Sequence, residues 1–342
     1  FRIKYKDILG EIHDYTSPKF KNKRDAVEQE ALKRIELNTT ISNKSITIDA
    51  IYKEYYLKKS KEVKKQSLAK INDLYKHFEP IKNYKINDIN INIYKKFSSY
   101  IENLNFSIKH SNKIIGLLKS LITYSSKYYN TSDSILKFIE PFKEVNVMKK
   151  EMDFYTYEEY QKFRSVIDDN EWKTFLDILY YLGLRCGECQ ALQFKDINFE
   201  KKTISINKTL TSKIKGEKWT ISSPKTKNST RVLPLSENVL NGLKMMSDNA
   251  KKYKNYSDEW FVFGNTVPFR ENTIQFRKNK YCVLSDVKRI RIHDFRHSCA
   301  SLLINNGASI MLVSKYLGHS NVSVTLNTYT HMYKSELENI TN

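Results

Sequence analysis

Apolar residues recur three and four positions apart through much of the chain. Between Thr47 and Lys58 they are Ile48, Ile51, Tyr52, Tyr55 and Tyr56, and between Ser67 and Phe78 they are Leu68, Ile71, Leu74 and Tyr75. This spacing lines one side of a 3.6-residue helix, so both segments are predicted to be amphipathic helices. Ile91–Glu102 and Ser111–Tyr128 follow the same pattern. Four such helices predict a compact bundle with lysine-rich outer faces. Before them, FRIKYKDI alternates like a strand and Leu9-Gly10-Glu11 can turn it. Asn22–Leu37 then reads as a helix, with Ala26, Ala31, Leu32 and Ile35 facing inward, and the polar stretch Asn38–Ser45 reads as a linker.

Pro141–Met152 is a second junction. Beyond it, Thr156 starts a helix with Glu158 and Glu159 in the first turn, and the strongly apolar Glu171–Leu184 reads as buried. Lys202–Leu210, Lys218–Lys225 and Arg231–Leu235 predict three short strands in one antiparallel sheet. Helix returns to the end of the chain, with stop signals at Asn305-Asn306-Gly307 and at Gly318. With only 9 Gly and 6 Pro, the chain predicts long helices and not a turn-rich sandwich. The fold class read from this pattern is mainly α with small antiparallel β-sheets.

Composition narrows the function. A length of 342 residues suits two or three domains, and 40% hydrophobic residues exclude a wholly disordered chain. No apolar run is long enough for a membrane span, and FRIKYKDILGE has no signal core. Residue 1 is not Met, so it is not read as the natural start. The net charge of +20 favours a polyanionic partner, nucleic acid first. The excess is spread along the chain: +3 in residues 1–45, +8 in 46–145 and +9 in 146–342. A long surface built by more than one domain is the expected footprint. The bases are 47 Lys and 11 Arg, so an arginine, suited to bidentate recognition, stands out where it occurs. The four cysteines are too few and irregular for a disulfide framework and fit a reducing cytosol.

Two spacings tempt a zinc reading. Cys186 and Cys189 form C-x-x-C, and His293 and His297 stand four apart. The first pair lacks a second C-x-x-C, and the second has Asp294 where H-E-x-x-H needs Glu. The cysteines then read as helix packing and His297 as a satisfied, partly buried histidine; no metal or other cofactor is expected.

Their neighbours carry a stronger pattern. Arg185 and Glu188 stand three apart near a helix start, where the carboxylate can brace the guanidinium. His293 and Arg296 are also three apart, His319 lies at a helix end, and Tyr329 follows ten residues later. Two arginines, two histidines and a hydroxyl suit phosphoryl transfer without a metal. Arginines stabilise charge on phosphate oxygens, histidines exchange protons near neutral pH, and tyrosine can form a covalent phosphodiester.

LGLRCGE, PKTKNSTRVLPL, HDFRH, LGHS and TLNTYTH, in that order, resemble the tyrosine recombinases, the lambda-type integrases of phages and integrative or conjugative transposons. The resemblance implies an arm-type DNA-binding domain over 1–42, incomplete here, a helical core-binding domain over 45–143 and a catalytic domain over 150–342. It implies that Arg185 and Arg296 clamp the scissile phosphate and that Glu188 supports the first. His293 matches a proton acceptor or hydrogen-bond partner, His319 the second phosphate-binding histidine, and Tyr329 the nucleophile. Lys225 matches the hairpin lysine that acts as general acid, with Lys227 its nearest rival. Cys189 departs from the apolar residue common at its position, but packs as a small apolar side chain.

The implied partners are duplex DNA at core and arm sites, three further copies in a synaptic tetramer, and an excisionase and DNA-bending accessory proteins. The implied place is the bacterial cytoplasm, at the nucleoid when acting. A type IB topoisomerase or telomere resolvase uses similar chemistry, but the arm-like unit favours an integrase. A non-catalytic DNA-binding protein and a zinc hydrolase are readings of other classes. The complete catalytic set disfavours the first, and activity unchanged in EDTA excludes the second.

Overall fold

The computed structural model describes residues 1–6, 12–20, 22–43, 46–143, 153–211, 218–224 and 229–329, with 34–43 described by their backbone. The chain divides into two compact units, Phe1–Met148 and Lys149–Asn342.

In the first unit, β1 (Arg2–Lys6) pairs antiparallel with β2 (Ile12–Thr16), Ile3 opposite Tyr15. The expected turn at Leu9-Gly10-Glu11 lies outside the described residues. Helix α1 (Lys23–Asn43) runs on through most of the expected linker. No Gly or Pro stands between Asn22 and Asn43 to stop it, and polarity alone does not break a helix. Ala31 and Leu32 are exposed, against expectation; the hairpin meets α1 at Lys33, whose ammonium lies 4.7 Å from the centre of the Tyr15 ring.

The four predicted bundle helices are α2 (Ile48–Glu62), α3 (Lys65–Tyr75), α4 (Ile91–Asn103) and α5 (Ile108–Tyr129). Side chains of Thr47, Asn90 and Ser107 cap α2, α4 and α5 by accepting backbone N–H bonds that the first turn leaves open. Ile48, Ile51, Phe78, Phe97, Ile101, Ile114, Leu118 and Leu121 are fully buried. Each such side chain contributes about 1.5–3 kcal/mol relative to exposure.

In the second unit, α6 (Tyr157–Ser165) opens on a reciprocal cap between Thr156 and Glu159. The apolar run forms α7 (Asn170–Tyr181), almost wholly buried. Its one buried acid, Asp177, is held by Arg164 at 2.8 Å and by the Tyr160 hydroxyl at 2.7 Å, as a desolvated carboxylate requires. After the short α8 (Cys186–Gln190) come β3 (Ile197–Asn198), β4 (Thr203–Ile206), β5 (Thr209–Thr211), β6 (Thr220–Ser222) and β7 (Arg231–Pro234).

Among the described residues the expected single sheet is two: β3-β4-β7, with Ile204 opposite Leu233, and β5-β6, with Leu210 opposite Ile221. The first predicted strand breaks at Asn207-Lys208. There the buried Asp196 draws Lys208 to 2.7 Å and accepts from Asn207 at 3.4 Å. Helices α9 (Glu237–Lys251), α10 (Glu271–Ser285), α11 (Asp294–Asn305) and α12 (Ile310–Leu317) follow, and residues 322–329 form a last helical stretch. Ile204, Leu233, Val239, Phe175 and Phe295 share one core. No helix among the described residues is long and apolar enough to cross a membrane.

Candidate active site

Helix α7 ends at Tyr181, and Gly183, at φ +59°, turns the chain into α8. A Cβ there would lie 2.6 Å from Leu317 Cδ2 and 3.0 Å from Cys299 Sγ. Glycine is thus required both by the left-handed backbone and by the space. The turn delivers Arg185 to the position just before α8.

Glu188, one turn on and 3% exposed, accepts from the Arg185 backbone N–H at 3.1 Å and from Arg185 Nη1 at 2.7 Å. It also accepts from Arg231 Nη2 at 3.1 Å. Burial pushes the Glu188 carboxyl up, but the charges of Arg231 and Arg185 outweigh it and leave its pKa below the ordinary value. One buried carboxylate thus orients two guanidiniums, one reaching solvent and one buried in its side chain.

Arg296, on the first turn of α11, is 2% exposed. It donates from Nη1 to the Gly183 carbonyl at 2.8 Å and from Nη2 to the Leu317 carbonyl at 2.6 Å. Burial, then the charge of Arg185, presses its pKa down to about 9, which leaves it charged at neutral pH. Among the described residues no carboxylate stands within ion-pair distance of Arg296. Its two carbonyl bonds tie together the turn that carries Arg185 and the end of α12, beyond which His319 follows.

His293 precedes α11 directly and its residue surface is exposed; partial desolvation of the ring and then the charge of Arg296 lower its pKa. His319 shares a hydrogen bond between Nδ1 and Thr325 Oγ1 at 2.7 Å. Burial, with the charges of Arg296, Arg185 and Arg231 bearing on it, lowers its pKa to about 4. Tyr329 lies one turn beyond Thr325, is 1% exposed and packs with Cys299, Val313 and Leu317. Burial raises its phenol well above the ordinary range, despite Arg296.

The Tyr329 hydroxyl lies 2.6 Å from His297 Nδ1, and the His293 and His297 rings meet at 87° with centres 5.2 Å apart. The structure thus gathers Arg185, Glu188, His293, Arg296, His319 and Tyr329 in the second unit. Lys225 and Lys227 lie outside the described residues. Sequence reasoning assigned no role to Arg231 or Thr325 and read His297 as a satisfied, partly buried histidine. Arg231 and Thr325 stood inside quoted motifs, but their partners lie 43 and 6 residues away. Among the described residues no three His, Cys, Asp or Glu side chains cluster as a metal site would need.

Residues 154–336 match the model of the phage integrase family. The ICEBs1 integrase of Bacillus subtilis (strain 168) is 32% identical over 238 residues, covering 66% of this chain and 63% of that protein. The fold is similar to the Tn1549 transposon integrase in complex with transposon right end DNA. That likeness has a TM-score of 0.70 at 20% identity and covers 87% of this chain and all of that one. It is also similar to a lambda integrase tetramer bound to a Holliday junction, with TM-score 0.60 at 14% identity and 93% of each chain covered.

Proposed function

Because the chain belongs to the phage integrase family, we propose that it is a site-specific DNA recombinase that cuts and rejoins duplex DNA through Tyr329 to integrate and excise a mobile element or prophage. Tyr329 attacks a DNA phosphate, leaving a 3′-phosphotyrosyl bond and a free 5′ hydroxyl. The 5′ hydroxyl of the partner duplex then attacks that bond and releases the tyrosine. The covalent link conserves the phosphodiester energy, so neither ATP nor a metal is required. Arg185 and Arg296 hold the non-bridging oxygens, and their charge stabilises the crowded phosphorane. Glu188 fixes the angle of Arg185. Thr325 fixes the His319 ring, whose other nitrogen then donates to the phosphate. Lys225 protonates the leaving 5′ oxygen.

The observation that carries this reading is Arg296. One buried guanidinium fastens the Arg185 turn to the end of α12, and Tyr329 packs against Leu317 of the same helix. Residues far apart in sequence are thereby tied together, which supports a shared role at one phosphate.

Residues 45–143 and 150–342 are proposed to grip the core site, and residues 1–42 to bind a separate arm site. Two duplexes exchange four strands, so the working form is a tetramer, an arrangement for which the lambda integrase likeness is support. An excisionase and DNA-bending proteins set direction, and the reaction runs at the bacterial nucleoid.

Incubation with the ends of the mobile element that carries the gene tests the chemistry. The unaltered chain is expected to form a denaturant-stable covalent adduct, and Tyr329→Phe to bind the same DNA without forming one. An adduct with the Phe variant would move the nucleophile elsewhere, first to Tyr333. Lys225→Ala is expected to slow cleavage, with a 5′-bridging sulfur as leaving atom restoring the rate.

A further inference from the structure

We infer that His297 is the general base of the first step, taking the hydroxyl proton of Tyr329 on Nδ1 as the tyrosine attacks. The inference rests on the reading of Tyr329 as nucleophile and goes beyond it. The family pattern offers His293 as a proton acceptor, whereas the structure brings a different histidine to the tyrosine hydroxyl.

Geometry supplies the first argument. Among the described residues, His297 Nδ1 is the atom within hydrogen-bond distance of the Tyr329 hydroxyl, at 2.6 Å. That separation is within the range a proton acceptor needs. His293, the histidine the family pattern would favour, makes no such bond and instead packs against the His297 ring. His297 sits one turn further along α11 and directly after Arg296. The helix that anchors the phosphate-binding arginine thus also aims the base.

Protonation states decide the direction of the bond. Burial keeps the phenol protonated at neutral pH. Burial first, then His293, Arg291 and Arg296 against the opposing Asp294, press His297 to about 4, so its imidazole is neutral. A phenol is the better donor and a neutral imidazole nitrogen the better acceptor, so Tyr329 donates to Nδ1. A scissile phosphate would offset the cationic contribution at His297 and raise its basicity when the proton must move.

The proton balance closes. In the first step the Tyr329 O–H bond breaks, the Oη–P bond forms and the P–O5′ bond breaks. The phenol proton goes to His297, and the leaving 5′ oxygen takes one from the lysine general acid. In the second step the incoming 5′ hydroxyl gives its proton to that lysine, and the departing phenolate recovers its own from His297.

The test is single-turnover adduct formation on element-end duplexes with an ordinary 5′-oxygen or a 5′-bridging sulfur at the cleavage point. His297→Ala is expected to slow the adduct about 10²–10³-fold on both duplexes without changing DNA affinity. The sulfur duplex needs no acid, so it separates this defect from that of Lys225→Ala. Added imidazole is expected to restore much of the alanine variant's rate. His297→Asn keeps an acceptor atom near the Nδ1 position but cannot take a proton, and is expected to remain slow. It also carries the test if the alanine variant does not fold. A near-normal rate for either variant, or a defect in His297→Ala that the sulfur duplex erases, overturns the inference. Tyr329→Phe, run alongside, separates the two failures. If it still forms adduct the nucleophile reading falls; if it does not while His297→Ala is normal, only the role of His297 falls.

Discussion

Glu188 shows how much one buried carboxylate can organise. It bridges Arg185, which is 39% exposed in its side chain, and Arg231, which is 7% exposed. Removing Arg231 takes one of two cationic partners from a desolvated carboxylate that keeps Arg185, so the loss is below the about 3–5 kcal/mol of a fully broken buried pair. Arg231→Ala is therefore expected to lower the denaturant midpoint and also to slow adduct formation, because Arg185 loses its fixed support. Arg231→Lys keeps the charge and is expected to recover stability more than rate. The lowered pKa of Glu188 carries a sign. Its stabilising contribution is present above the ordinary glutamate value of 4.5 and is lost as pH falls through the lower folded value. Unfolding followed between pH 6 and pH 3 should show stability falling with pH in the unaltered chain, and less so in Glu188→Gln. The pair of Arg185 and Glu188 was legible because three residues on a helix is a local distance. Arg231 was not, because it reaches Glu188 across 43 residues and no periodicity reports such a contact. His297 was read correctly as a partly buried, satisfied histidine, but only packing could show that its partner is Tyr329.

Local patterning placed the bundle helices well and failed where a tertiary contact decided the boundary. Helices α2 to α5 stand where their apolar stripes predicted, since each stripe needs a core to cover it. The strand predicted across Asn207 and Lys208 splits because Asp196, buried beneath, demands partners at that point. The linker predicted over Asn38–Ser45 is helical to Asn43, since its polar residues include no breaker. The Gly183 turn is sensitive to mutation. Gly183→Ala places a methyl 2.6 Å from Leu317 and forces a left-handed backbone on alanine. The combined strain and overpacking is about 2–4 kcal/mol. Because the Gly183 carbonyl also holds Arg296, the substitution is expected to reduce adduct formation even at temperatures where the fold survives. Thermal melts read beside adduct assays would separate the two effects.

At the scale of the molecule, the +20 charge makes a clear demand on binding. If the basic surface makes 6–10 phosphate contacts, affinity for duplex DNA falls about 10³–10⁵-fold between 50 and 200 mM salt. A titration by fluorescence anisotropy would show this as a steep line of log affinity against log salt, and a flat line would exclude a phosphate-tracking surface. The charge was legible from composition, whereas the way it is held at the centre was not. Arg296 is a cation in a dry interior with backbone carbonyls for company and no paired carboxylate among the described residues. On the proposed reading, its counter-ion would be the scissile DNA phosphate. If so, the free chain carries an electrostatic penalty that the bound chain sheds, and its DNA site is expected to raise its thermal midpoint. Molecules off their site would then be expected to open and reach proteases first. The lifetime of the protein would follow whether its DNA site is present.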